Sequence, residues 1–413
     1  MLLAFLLAAQ IGACVPMRWA WSDTGSLNML DGSAVTCLVV PDEETASLMR
    51  EGARARGLQV LVEGKDFQVA TRRVDVRPAP LVAVAQGLWP GIRVEKEGST
   101  EARPTGAPWV ETNTGYLRYL RASLGPSAQI WLTNRPPEKQ ILSGQRYVQA
   151  IGDSAMSGAR WLVTLDSGFT ELMRQRDPRI QDSWKRINDA LLFYQTNRSM
   201  VEAPDYSSLA LLEDPASGAL MSGGIVDMIA AKHIPLQVVP AAKLQPGAIG
   251  NARTLLNIDP AGLSDEQRET LKTVSRSGVA LVNGPPGWRM SLPETAITFP
   301  EDQVKKLDEV WRGVNSFIWG KNFAVRVFGA HSVLSNLKRL DDGRLALHLV
   351  NFSDYPVENI AVHTDGPFES ATLLTPRGPR KVEAYSLEDG MGIDIDKLED
   401  VGILVITGFQ PKR

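Results

Sequence analysis

Histidine is scarce in this 413-residue chain and badly placed for catalysis: all four (His233, His331, His348, His363) lie after residue 230. A Ser-His-Asp triad, a histidine-rich zinc site or a Cys-His nucleophile in the first half would need pieces from elsewhere in the chain. Cysteine is scarcer still. Cys14 and Cys37 are the whole set, too few for a disulfide framework, although one bridge is open to an exported chain. Cys37 lies in the apolar run Val35–Val40 and reads as a buried, inert thiol. HExxH, CxxC, P-loop and GxGxxG motifs are all missing, so neither a metal nor a cofactor is expected. A net charge of −3 without a Lys/Arg block removes the basic field that nucleic acid needs.

Long apolar runs are missing too. The one apolar block, residues 1–13, is too short to span a bilayer and reads as a signal-peptide h-region without its basic flank. Residues 1–14 are therefore taken as a signal segment. Ile11-Gly12-Ala13-Cys14 is similar to the bacterial lipoprotein signal, in which the cysteine becomes a lipid anchor. The expected location is outside the cytoplasm: periplasmic, lipid-anchored or extracellular. The competing reading is a buried N-terminal helix.

What is present is a regular alternation. Residues 15–204 carry strand-like stretches at Val35–Val40, Leu58–Val62, Pro80–Ala85, Ile92–Glu95, Trp109–Glu111, Ile130–Thr133 and Trp161–Leu165. Between them lie helix-like stretches at Glu43–Arg56, Gly115–Ser123, Gln140–Ser157 and Asp182–Thr196. Alternating β and α implies a parallel sheet, here a compact or degenerate (β/α) barrel. Residues 205–295 repeat the alternation on a smaller scale, as in a doubly wound α/β domain. Within it, Ser264-Asp-Glu-Gln267 is a capping box. A linker helix is expected in residues 296–322. Residues 323–413 alternate polar and apolar with frequent turns, as in an all-β sandwich.

Several barrel strands end in polar or acidic side chains beside a tryptophan: Trp109-Val-Glu111-Thr-Asn113, Ile130-Trp131-Leu-Thr-Asn134-Arg135 and Trp161-Leu-Val-Thr-Leu-Asp166. The C-terminal ends of barrel strands are where such folds build sites. Hydrolysing a glycoside takes two carboxyl groups, and Glu111 and Asp166 are the pair nominated, with Glu95 a third candidate. For Asp166 the competing reading is an Asx turn that caps the next helix. For Glu111 it is a structural carboxylate, and for Glu95 a solvated surface. Trp109, Trp131 and Trp161 could stack on the apolar face of a sugar, with Asn113, Asn134 and Arg135 bonding its hydroxyls. Trp21 and Asp23, in Arg18-Trp-Ala-Trp-Ser-Asp23, join them at the same rim. Core packing competes for each Trp.

Leu209-Ala-Leu-Leu-Glu-Asp-Pro215 with Gly223-Gly-Ile-Val-Asp-Met, the stretch from Leu263 to Asn283, and Arg344–Val350 with Asn351-Phe-Ser-Asp-Tyr-Pro356 resemble the later parts of glycoside hydrolase family 42 β-galactosidases and related hydrolases. There a β/α barrel precedes an amidotransferase-like trimerisation domain and a β-sandwich. The resemblance implies that architecture, a carbohydrate partner and a trimer. It does not supply the acid/base, because no Asn-Glu pair occurs in residues 15–200. An amidotransferase reaction is unsupported as well, since residues 206–290 hold no cysteine. Two readings follow: an exported glycoside hydrolase-like protein using Glu111 and Asp166, or a non-catalytic carbohydrate-binding or assembly protein with a degenerate barrel.

Overall fold

The computed structural model describes residues 14–67, 69–70, 82–92, 110–138, 141–288, 290–292 and 296–412. The signal segment before Cys14, Glu95 and Trp109 lie outside them. The first part runs β1 (Pro16–Arg18), β2 (Cys37–Val40), α1 (Glu43–Ala55), β3 (Gln59–Val62), β4 (Val69–Ala70), β5 (Ala83–Gln86), β6 (Gly91–Ile92), β7 (Val110–Glu111), α2 (Thr114–Leu124), β8 (Ile130–Thr133), α3 (Gly144–Met156), β9 (Arg160–Trp161), α4 (Ser167–Arg174), α5 (Pro178–Thr196) and α6 (Arg198–Glu202). Helix starts follow local chemistry. Asp42 accepts from Thr45 N at 2.7 Å to cap α1, and Asp177 caps α5, which begins at Pro178.

Strands β1-β2-β3 form one parallel sheet and β4-β5-β8-β9 another. A Met17↔Val163 bridge joins them, giving the parallel order β3-β2-β1-β9-β8-β5-β4. Side chains alternate across this array. One parity collects Cys37, Val39, Leu61, Phe67, Val84, Trp131 and Leu162 into an inner cluster. The other sends Leu38, Val40, Val62, Trp161 and Val163 against Met49, Tyr147, Ile151 and Ile187 of α1, α3 and α5.

Two expectations change here. The stretches around Ile92 and Glu111, read as successive barrel strands, pair antiparallel as the two-stranded β6-β7 sheet. Glu111 therefore does not end a strand of the parallel array. Cys37 is buried as expected but is not a thiol: it is disulfide-bonded to Cys14. The Cys14 sulfur that a lipid anchor would use is in that bond.

The second part contains β10 (Leu209–Glu213), α7 (Ile225–Ala230), β11 (Gln237–Pro240), β12 (Thr254–Asn257), α8 (Asp265–Arg276) and β13 (Ala280–Asn283), with sheet order β11-β10-β12-β13, all parallel. Leu209 and Leu211 pack on the α7 side, Ala210 and Leu212 on the α8 side. The Ser264–Gln267 capping box forms, with both reciprocal bonds made. Helix α9 (Glu301–Ile318) buries Leu307, Val310 and Trp311 in the cluster that holds α7.

The last part is antiparallel and all β: β14 (Val325–Phe328), β15 (Val333–Arg339), β16 (Leu345–Asn351), β17 (Val357–Thr364), β18 (Ser370–Thr375), β19 (Gly378–Lys381), β20 (Glu383–Leu387), β21 (Gly390–Leu398) and β22 (Val401–Thr407). The sheets run β15-β16-β22-β18-β19 and β14-β17-β21-β20, enclosing Val325, Leu347, Ile360, Ile393 and Leu404. Asp205 ties the parts together. It accepts from Arg118 Nε of α2 at 2.9 Å, and from Asn336 Nδ2 at 2.9 Å and Lys338 Nζ at 3.3 Å of β15. Arg118 also donates to Leu236 O at the start of β11, at 2.5 Å.

Candidate functional site

Inward parity carried to the strand ends selects a small polar set. Leu61 faces inward on β3, so Glu63 does too; Trp131 faces inward on β8, so Thr133 does too. Arg18 ends β1 at the same level. These three meet. The Arg18 fork bonds both carboxylate oxygens of Glu63, Nη1 to Oε2 and Nη2 to Oε1 at 3.1 Å. Its Nη2 also reaches Thr133 Oγ1 at 3.1 Å. One guanidinium thus joins three chain segments at the C-terminal ends of the strands, and its bidentate geometry fixes the carboxylate plane. The Arg18 and Glu63 side chains remain 25% and 31% exposed, so solvent reaches the pair. Below them Phe67 and Trp131 meet edge to face at 5.7 Å and form a floor.

Asp166 is a buried structural carboxylate, not an open acid. It is 5% exposed. Oδ1 accepts from Phe169 N at 2.7 Å and caps α4, while Oδ2 accepts from Tyr147 Oη at 2.6 Å and Leu142 N at 3.1 Å. The Asp166 amide donates back to Tyr147 Oη at 2.8 Å. Burial, and the carboxylate that accepts its proton, push the Tyr147 phenol far up, so it stays a donor. Three donors thus hold the Asp166 carboxylate in a helix-capping position. Glu111 is partly buried, lies opposite Gly91 in the β6-β7 ladder and has interactions of its own.

The tryptophans nominated as platforms are core residues where they are described. Trp131 is 0% exposed inside the array, and Trp161 is 2% exposed on its outer side. Neither offers a ring face to a ligand. Trp161 Nε1 donates to Asn134 Oδ1 at 2.6 Å. Trp21 is half-buried and packs edge-on against Trp19 at 4.5 Å. Asp23 caps a 3-10 turn by accepting from Ser26 N at 2.8 Å, instead of ending a strand. Arg135 is exposed beyond β8.

Asn113 and Asn134, expected to bond sugar hydroxyls, are buried and hold protein backbone. Asn113 accepts from Leu88 N at 2.9 Å and donates to Leu88 O at 3.0 Å, and Asn134 Nδ2 donates to the same oxygen at 2.8 Å. The clamped residue precedes Trp89, which is half-buried and rests edge-on against Tyr147 and Trp161, each at 5.7 Å.

Arg18, Glu63 and Trp89 were missed by reading the sequence. Glu63 directly follows the Leu58–Val62 stretch, so the strand-end rule that nominated Asp166 also points to it. Among the described residues no cluster of His, Cys, Asp and Glu side chains could hold a metal ion. A cavity of about 40 Å³ lies at the opposite end of the array, between Pro16, Ile130, Arg160, Leu191 and Tyr194. It has room for a few waters only.

No family model and no curated protein matches the sequence. Solved structures do. The alpha-L-fucosidase isoenzyme 2 from Paenibacillus thiaminolyticus superposes with a TM-score of 0.53 at 12% identity, over 89% of this chain and 71% of that one. The fold is glycoside hydrolase-like. A rhamnosidase from Novosphingobium sp. PP1Y aligns at TM-score 0.48 and 10% identity, over 90% of this chain and 39% of that one. A family 42 β-galactosidase from G. stearothermophilus aligns at 0.46 and 9%, over 89% and 67%.

Proposed function

We propose that this chain is a carbohydrate-binding member of the glycoside hydrolase-like folds. Its parallel array is a reduced barrel, and its ligand sits at the mouth formed by Arg18, Glu63 and Thr133. The observation that carries this reading is the joint fate of the strand-end side chains. Asp166 is sealed by three donors, whereas the Arg18–Glu63 pair is left partly open at the mouth. Guanidinium donors beside carboxylate acceptors suit vicinal hydroxyls, each of which donates and accepts. The two-carboxylate reaction through Glu111 and Asp166 is not part of this reading. Export is part of it: the Cys14–Cys37 disulfide supports folding in an oxidising compartment.

Isothermal titration against fucosyl-, galactosyl- and rhamnosyl-oligosaccharides, paired with a nitrophenyl-glycoside hydrolysis panel, tests it. Binding without turnover is expected, weakened at least tenfold by Arg18→Ala and by Glu63→Gln. No binding by the natural chain would overturn the proposal. Turnover that Glu63→Gln or Glu111→Gln abolishes would replace it with an enzyme.

A further inference from the structure

We infer a second carbohydrate-binding surface, separate from the mouth, on the open face of the β14-β17-β21-β20 sheet, suited to a neutral oligosaccharide lying across the strands. One face of this sheet packs on the sandwich core through Val325, Val327, Ile360, Val362, Ile393 and Ile395. Register fixes what the other face carries. One row runs Arg326, His363, Gly392, Tyr385, and the next runs Phe328, Ala361, Asp394, Glu383. The two smallest residues, Gly392 and Ala361, stand at the centre with aromatic side chains on both sides.

Tyr385, 36% exposed, lies over the gap at Gly392, where any Cβ would run into its ring. Its hydroxyl donates to Asp394 Oδ1 at 3.1 Å, which holds the ring down along the sheet. On the far side Phe328, 39% exposed, packs on His363 with ring centroids 4.6 Å apart. The Arg326 guanidinium lies 5.3 Å from the Phe328 centroid, and its Nη1 donates to Lys321 O at 3.1 Å. Trp319, two residues before Lys321, is 72% exposed.

The chemistry favours a sugar over an apolar partner. Flat aromatic faces suit pyranose C–H surfaces, while Arg326, Asp394 and Glu383 supply donors and acceptors of both signs within the same two rows. That mixture complements neutral diols better than it does a uniformly charged polymer. Four strands at about 4.8 Å spacing span roughly 14 Å, longer than one sugar ring.

Affinity electrophoresis of the full chain in gels containing galactomannan, xyloglucan or arabinan tests the surface. Retardation is expected in at least one gel. Read with the mouth silenced by Arg18→Ala, Tyr385→Ala should weaken it at least tenfold, as should Gly392→Val, which lifts the ring; Tyr385→Trp should retain it. Unchanged circular dichroism in Tyr385→Ala separates lost binding from lost folding. Three results would overturn the proposal: no retardation of the natural chain in any gel, equal retardation of Arg18→Ala with and without Tyr385→Ala, or loss on Arg18→Ala alone. A concentration-dependent dimer that Tyr385→Ala dissolves, without retardation, would make the face a protein contact instead.

Discussion

Asp166 and Glu63 began from the same sequence context, a carboxylate just past an apolar run, and met opposite fates. Asp166 has a glycine and an aromatic residue after it, so its oxygen turns back on Phe169 N, and a tyrosine one helix away takes the rest. Glu63 faces inward and meets an arginine. The Asx-turn reading of Asp166 was legible in Asp166-Ser-Gly168. The Tyr147 partner was not, because it comes from α3, 19 residues earlier. The same limit hid the role of Asn134, whose partners Leu88 and Trp161 are near only in space. Replacing Asp166 by alanine removes a cap, worth about 1 kcal/mol, and strands buried donors at about 1–3 kcal/mol each. Chemical denaturation should show a loss of at least about 2 kcal/mol. An Asp166→Ala protein of undiminished stability would restore Asp166 as a free functional group.

Elements with strong local signals were the most legible. Strand β8 falls on its short apolar run, and α8 starts at its capping box. The failures are short. Strands β6 and β7 are two residues each, and their direction depends on the partner they find, which no local pattern encodes. Strand β4 is equally short and was not foreseen. The disulfide belongs to this scale too, since it fastens Cys14, two residues before β1, to Cys37, the first residue of β2. Closing a loop with a sequence separation of 23 should contribute about 3 kcal/mol through the unfolded chain. Scanning calorimetry with and without a phosphine reductant should show a fall in Tm of several degrees, matched by the Cys14→Ser, Cys37→Ser double variant. An unchanged Tm would mean that the bridge adds nothing to stability.

At the scale of the whole molecule, buried titratable groups stand where its parts meet. His348 on β16 bonds Met200 O of α6 at 3.1 Å, so its Nε2 donates. Burial, aided by the positive charge of Lys338, lowers its pKa from 6.5 to about 3. His233 is lowered to about 4, again chiefly by burial. Burial pushes Asp205 up, but Arg118 and Lys338 outweigh it and leave the carboxyl at about 2, against an ordinary 3.8. All three folded values lie below the unfolded ones, so each group's contribution is complete above its unfolded pKa and fades on acidification. From these three groups stability should fall between about pH 6.5 and 3 as the histidines charge in the unfolded chain, and go on falling from 3.8 to about 2 through Asp205. Urea midpoints followed against pH should show both stages, with the first flattened in His348→Gln. A profile flat from pH 7 to 4 would contradict these assignments.

The two parallel sheets of the first part touch through very little backbone. The seam is Arg18 N to Val163 O at 2.8 Å and Val163 N to Pro16 O at 3.0 Å. The residue at that seam also sends its guanidinium to β3 on one side and to β8 on the other. A molecule gripping Arg18 from above would therefore act as a staple across the weakest join of the array, and filling the mouth would stiffen the two sheets against each other.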